Sequence, residues 1–455
     1  MTATDTRPRI AEALRAASDH LLALMRPEGY WEGRLSSSAL STATAMSALA
    51  VAGIEEDRPL LRGGAAWLAA TQNEDGGWGD TPDSPSNLST TLLALSALRL
   101  AEVTDSAGPV LAAAEGYAAR HAGVTPEERV AALERIYGAD RTFAVPILMN
   151  CALAGLVPWR LIPGLPFEMA AFPQRAYRAL RLHVVSYALP ALIAIGILLA
   201  RRAPSRNPAL RLLRRALEPA ALRRLAAIQP EHGGFLEATP LTSFVAMSLI
   251  PVFGAGHPVA RRCLGFLRAS AREDGSWPID TNLSAWVTTG AVSALAAAGR
   301  LGDLDAGRTR RWILERQYRV VHPYTGAAPG GWGWTHLPGG VPDGDDTSGA
   351  LVALRHLREE IPGSAPPTVG EGRTASEDPL RLGAEWLLGL QNDDGGWPTF
   401  CRGWGKLPFD RSSPDITAHA LRALRASGEG GARVGRAVKR GLAYLARVQR
   451  PNGAW

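Results

Sequence analysis

The sequence predicts an all-α protein assembled from helical hairpins, and two observations carry that prediction. Ala- and Leu-rich runs such as Thr90–Leu100, Asn282–Ala298 and Asp346–Leu357 dominate the chain, while alternating strand patterns are scarce. A short motif, Gln-Asn-Asp-Asp-Gly-Gly-Trp at 391–397, also recurs after apolar helical stretches such as Trp67-Leu68 and Trp386-Leu387-Leu388. Its pattern is Gln, three residues, Gly, one residue, then an aromatic. It returns as Gln72–Trp78, Gln229–Phe235 and Gln449–Trp455. Looser copies end at Trp31 and Trp277, where the glutamine is replaced, and at Trp332, where the Gln317 segment carries an insertion. Repetition at intervals of tens of residues implies a stacked or circular array of hairpins. In such an array the glutamine bridges backbone groups at a helix end and the indole lies over it. These residues read as structural staples, without chemistry of their own.

The elements follow in order. Residues 1–24 form a polar, amphipathic N-terminal helix without the apolar core of a signal peptide. Val184–Ala200 is an apolar run interrupted by Ser186, Tyr187 and Pro190, near the lower length limit for crossing a bilayer. Directly after it, Arg201, Arg202, Arg206, Arg211, Arg214, Arg215, Arg223 and Arg224 share a short region with one acid, Glu218. Leu210, Leu212, Leu213 and Leu217 interleave with them, so the segment reads as basic and amphipathic. That pattern suits an anionic lipid bilayer. Nucleic acid is the competing partner for basic charge, and it is set aside because no aromatic-interleaved groove or binding motif accompanies the arginines. Pro362–Glu377 reads as a polar surface connection. At 455 residues with 46% hydrophobic and 20% charged, the chain can bury two substantial cores. Cys151, Cys263 and Cys401 are far apart and form no CxxC, which points to a reducing compartment without a disulfide framework.

The chemistry concentrates at Asp343-Gly344-Asp345-Asp346-Thr347, which follows the Gly- and Trp-rich run Gly330–Trp334 at the start of a predicted helix. Carboxylates this close cannot all ionise cheaply, so at least one holds its proton at neutral pH. A neutral carboxylic acid among aromatics can donate a proton to a very poor base such as a carbon–carbon double bond. The plain alternative is a solvated Asp-Gly turn with an N-cap aspartate. Calcium-loop spacing is absent.

Repeat and acid cluster together resemble the squalene–hopene cyclases, within the class II triterpene cyclases. The repeat is similar to that family's QW motif, and Asp343–Thr347 is similar to its DxDDT acid motif. Pro414-Asp415-Ile416-Thr417-Ala418-His419 resembles the segment that sets a histidine behind the acid. Trp159–Pro166 and Phe167-Glu168-Met169 resemble a further family region. The resemblance implies an α/α-toroid of the α6–α6 type with two linked barrels: 1–24 as the N-terminal helix, 25–280 as the first barrel with the membrane contact, and 281–455 as the second, catalytic barrel. It places Val184–Ala200 in the wall of the first barrel as a buried helix.

The resemblance also implies roles. Asp345 is the general acid. Asp343 and Asp346 supply negative charge that stabilises the first cation. His419 strengthens the acid, and Asp415, one helical turn earlier, orients the imidazole. Without the neighbouring acid motif, Asp415 and His419 would read as an N-cap and a core histidine. Trp334, Trp286 and Phe400, and more weakly Phe409 and Trp159, match pocket aromatics whose faces stabilise carbocations. Core packing is the equal alternative for each. The implied substrate is squalene or a similar polyprene, with no cofactor and no metal. The implied location is the cytoplasmic face of the cell membrane, as a peripheral or monotopic protein, and a homodimer is compatible with the reading.

Three departures from the pattern stand out. Hopene-forming relatives carry glutamates where Ser36–Thr44 has Ser, Thr and Ala, which changes the expected termination. Phe400–Gly405 lacks the usual acidic run. The chain ends at Trp455, directly after a QW copy, so the second barrel is expected to be unfinished, as in a fragment of a longer protein. Alternatives are a class II diterpene cyclase acting on a diphosphate, a prenyltransferase β subunit, which would need a zinc site of Asp, Cys and His that the spacing does not supply, and a non-catalytic lipid-binding scaffold.

Overall fold

The structure, a computed structural model, describes residues 7–102, 104–138, 141–172, 187–359, 378–400 and 410–455. The Pro362–Glu377 connection, Cys401 and Phe409 therefore lie outside the described residues. The chain divides into two compact units, Leu35–Thr281 and a discontinuous one of Met1–Arg34 with Asn282–Trp455.

Among the described residues of the Leu35–Thr281 unit, five inner helices form a closed ring. Ala39–Ala52 packs on Leu88–Leu100, which packs on Arg141–Leu153, then Leu189–Arg202, then Thr239–Phe253, which returns to the first. Outer helices such as Arg58–Ala70, Thr104–Ala122, Pro208–Ile228 and Pro258–Ser270 back onto this ring. The division follows from the residues. Ala39–Ala52 carries no charge and is almost wholly buried from Ala39 to Leu49, because Ala, Ser and Thr let neighbouring helices approach on every side. Outer helices have one apolar stripe and one charged face, as an element covered on one side requires. A short antiparallel pair, Ser37–Ser38 with Trp277–Pro278, joins the beginning of the unit to its end.

In the other unit, the inner helix Gly344–Glu359 lies between Ser284–Ala297 and Pro414–Ala426. Ala306–Glu315, Pro379–Leu390 and Ala432–Val448 are the outer partners. Residues 25–34 pack here and not with the first barrel, to which the sequence assigned them. The Trp31 backbone N–H donates to Thr288 Oγ1 at 3.0 Å, and Gly33 N–H donates to Asn282 Oδ1 at 2.9 Å.

The repeats lie in the turns that follow outer helices, and the copies beginning at Gln72, Gln229, Gln317 and Gln391 each tie three elements together. In the 391–397 copy the Gln391 amide donates to Gly395 O at 2.8 Å and to Ala437 O of the next outer helix at 2.9 Å. The Trp397 indole N–H donates back to Leu387 O of the preceding outer helix at 2.8 Å. The Trp397 backbone N–H donates forward to Thr417 Oγ1 of the next inner helix at 3.0 Å. Gln72, Gln229 and Gln317 make the same pair of bonds. The indole is thus a hydrogen-bonding wedge with its N–H on a helix end, a role more specific than lying over the glutamine. Gly395 has φ +96°, and a Cβ there would meet Arg440 O at 2.6 Å, so the turn admits only glycine.

Candidate active site

The acid motif is one of these turns put to a second use. Trp332 and Asp343 form an antiparallel bridge, as Trp78 does with Asn87 and Trp397 with Ser413. Trp332 N–H donates to Thr347 Oγ1 at 2.9 Å, so the last residue of the motif is a staple like Thr417. Asp343 caps the Gly344–Glu359 helix, with its Oδ1 accepting Asp346 N–H at 2.8 Å. Gly344 N–H donates to Thr399 O at 2.6 Å, and a Cβ on it would meet Pro398 O at 2.7 Å. The glycine inside the motif lets the next repeat turn close over the carboxylates. Three acids thereby fall in the first turn of one helix, where exposed N–H groups favour negative charge.

Asp345 is partly exposed and reaches two neighbouring inner helices. Its Oδ1 lies 2.6 Å from His419 Nδ1. Its Oδ2 accepts the Trp286 indole N–H at 3.0 Å. Gly349 makes room for this meeting, since a Cβ there would stand 2.8 Å from Thr289 Oγ1 and 3.7 Å from His419 Cε1. Trp334 stands beside the site, edge-to-face with Phe400 at a centroid distance of 5.9 Å. The Trp334 carbonyl accepts the backbone N–H groups of Ala285 and Trp286 at 2.9 and 3.1 Å. Ser284 and His336 close the same junction, Oγ to Nδ1, at 2.7 Å.

The three carboxyls differ electrostatically. Asp343 is 2% exposed, and burial lifts its pKa to about 7. Burial, followed by the charge of Asp343, lifts Asp346 well above the carboxylate range. Asp345 moves the other way: the hydrogen bond to His419 lowers its pKa against the effect of burial, and the Trp286 N–H adds to the lowering. The sequence expects the group that holds a proton and the group that donates one to be the same. The structure separates them, because Asp345 has two donors and some solvent while its neighbours are sealed. Asp343 and Asp346 can store protons at neutral pH, and Asp345 is the strongest acid of the three.

Other expected residues fall elsewhere. Asp415 is exposed and accepts the Ser413 hydroxyl, so it does not orient His419. In the first helical turn its carboxylate finds a closer donor at the helix start than the imidazole one turn on. Phe409 lies outside the described residues. Trp159 belongs to the Leu35–Thr281 unit, where Arg202 lies over its ring at 5.9 Å. Arg206, Arg211 and Arg215 are exposed, and Arg201 pairs with Glu218 at 2.6 Å. Arg214 is a correction to the expected membrane contact: it turns inward to Glu168 at 3.0 Å, because that nearly buried carboxylate needs a charge partner.

Sequence reasoning missed Ser284, His336 and the direction of the Trp286 N–H. It also missed the threonine of each staple, although its signal was present. Thr42, Thr91, Thr242, Thr288, Thr347 and Thr417 each receive the N–H of a repeat aromatic.

Helical hairpins around an inner layer, with an Asp-x-Asp-Asp turn opposite a histidine, define the architecture of a class II terpene cyclase. Residues 14–237 match the squalene–hopene cyclase N-terminal domain and residues 283–455 the C-terminal domain, and the chain belongs to that family. It is 25% identical to the squalene–hopene cyclase of Alicyclobacillus acidocaldarius, over 98% of this chain and 76% of that one. It is 27% identical to enfumafungin synthase of Hormonema carpetanum, over 98% of this chain. The chain spans 38% of that relative's length and 39% of a terpene cyclase–glycosyl transferase fusion protein of Humicola fuscoatra. Among solved structures, abietadiene synthase from Abies grandis shares the fold with a TM-score of 0.55 and 18% identity, covering 97% of this chain and 49% of that one.

Proposed function

We propose that this protein is a class II terpene cyclase that protonates squalene, or a related linear polyprene, and carries the cation through ring closure to a polycyclic triterpene such as hopene. The observation that carries the reading is Asp345, hydrogen-bonded to His419 at 2.6 Å and set beside two buried carboxyls. The proposed first step starts from the protonated form of Asp345, the strongest acid of the three: its O–H bond breaks and the electron pair stays on oxygen. The terminal π pair of the polyene forms a C–H bond, and the neighbouring carbon becomes the cation. Trp334 and Phe400 offer aromatic faces to that charge. The deciding experiment incubates the protein separately with squalene and with geranylgeranyl diphosphate and identifies products by mass spectrometry, beside Asp345→Asn. Cyclised squalene from the unmodified protein alone supports the reading. Cyclised diphosphate without cyclised squalene would replace it with a diterpene cyclase, and no product from either would reject it.

We further propose peripheral attachment to the cytoplasmic face of the cell membrane through the Pro208–Ile228 helix. Leu212 and Leu213 on it, and Met169 and Phe172 on the neighbouring turn, are exposed apolar side chains, with Arg211 and Arg215 among them. Among the described residues no helix is long and apolar enough to cross a membrane. Arg211→Glu with Arg215→Glu should reduce flotation with anionic vesicles, and unchanged flotation would remove this helix from the contact.

A further inference from the structure

We propose that Trp286 is a positioning residue for the proton donor, acting through its indole N–H on Asp345 in addition to offering an aromatic face; this deepens the cyclase reading and rests on it. The repeat tryptophans Trp31, Trp78, Trp277, Trp332 and Trp397 are core wedges, with Trp332 at 1% and Trp397 at 0% exposure, whereas Trp286 is 50% exposed. Core packing therefore does not explain its presence. Its backbone is nevertheless held firmly. Its N–H and that of Ala285 donate to Trp334 O, its carbonyl accepts the Thr289 hydroxyl at 3.0 Å, and the Ser284–His336 contact closes the junction two residues earlier. The result of that support is an indole N–H 3.0 Å from Asp345 Oδ2.

The direction of this bond is unambiguous. An imidazole nitrogen can donate or accept according to tautomer, but an indole N–H only donates. Oδ2 must therefore be an acceptor in this geometry. A donor aimed at that oxygen interacts weakly with a neutral carboxylic acid and more strongly with the carboxylate left when the proton departs, since charge-assisted hydrogen bonds are stronger than neutral ones. The interaction thus grows as the O–H bond breaks and negative charge develops on Asp345. That is the form of stabilisation that accelerates a step, because it is larger in the transition state than in the ground state. His419 on Oδ1 and Trp286 on Oδ2 hold the carboxyl plane from both sides.

Trp286→Phe keeps an aromatic face and removes the N–H. The rate of cyclisation should fall about tenfold, the loss of one hydrogen bond to a developing charge at a half-exposed site. The limb on which activity falls at high pH should move upward, because Asp345 becomes a weaker acid. The ratio of products should stay that of the unmodified protein. An altered product ratio with an unmoved pH limb would assign Trp286 to the cation alone and overturn the proposal. A second measurement does not depend on turnover or on the variant's activity. In protein labelled with ¹⁵N-tryptophan, the indole N–H resonance absent from Trp286→Phe should titrate with pH in the unmodified chain and lose that titration in Asp345→Asn. A resonance indifferent to Asp345→Asn overturns the proposal. If the unmodified protein cyclises nothing, the cyclase reading fails while this resonance still decides the hydrogen bond.

Discussion

Replacing Asp343 by asparagine should make the protein more stable above neutral pH while impairing its chemistry. The side chain caps the Gly344–Glu359 helix through Oδ1, and an asparagine oxygen can accept the same Asp346 N–H. What the substitution removes is ionisation in a sealed site. Folding lifts the carboxyl to about 7, from an ordinary value of about 3.9. The folded state therefore binds a proton that the unfolded chain has lost, so stability falls as pH rises from about 4 to about 7. At about 1.4 kcal/mol for each pH unit, the cost above pH 7 approaches ~4 kcal/mol as an upper bound. The charge on Asp346 is relieved as well. Asp343→Asn should raise the melting temperature by several degrees at pH 8, by less at pH 6, and by about a fifth of the pH 8 shift at pH 4.5. Calorimetry of both proteins across that series is the assay. A change that is the same at every pH, or a loss that grows with pH, would refute the assignment of a stored proton to this carboxyl.

Three further outcomes are expected. His419→Ala removes a charge-assisted hydrogen bond worth about 2 kcal/mol, so cyclisation should slow about thirtyfold and the high-pH limb should rise; an unmoved limb in the rate–pH profile would show that His419 does not set the acidity of Asp345. Trp334→Ala should redistribute products, read by mass spectrometry, with substrate consumption near normal, since it removes an aromatic face and leaves the proton source intact. Gln391→Ala leaves Gly395 O and Ala437 O without their donor in a buried turn, which should cost about 2–3 kcal/mol in denaturant unfolding; a change within error would show that the staple carries no stability.

Parts of this site were legible in the chain because they are local. The Asp-x-Asp-Asp spacing puts three acids in one helical turn whatever the surroundings, and the Asp343 cap follows from its position before the helix. The pairing of His419 with Asp345 was legible through resemblance, although 74 residues separate them. Asp415 was misjudged because i to i+4 spacing brings two side chains to one face without choosing their partners, and Ser413 was the nearer donor. Arg214 was misjudged for a similar reason: a run of arginines does not reveal which one meets a buried acid such as Glu168.

The sequence by itself determined the helical hairpins, the turns between them and the identity of the acid cluster, since periodicity, glycine-bearing turns and adjacent carboxylates are properties of short stretches. Only the tertiary structure decided which carboxyl keeps its proton and which is poised to lose it. Asp343, Asp345 and Asp346 are the same residue type within four positions, and their separation comes from what surrounds each: sealed walls around two, and for the third an imidazole and an indole delivered by neighbouring inner helices. Desolvation and hydrogen bonding set a pKa, and both depend on how the hairpins stack.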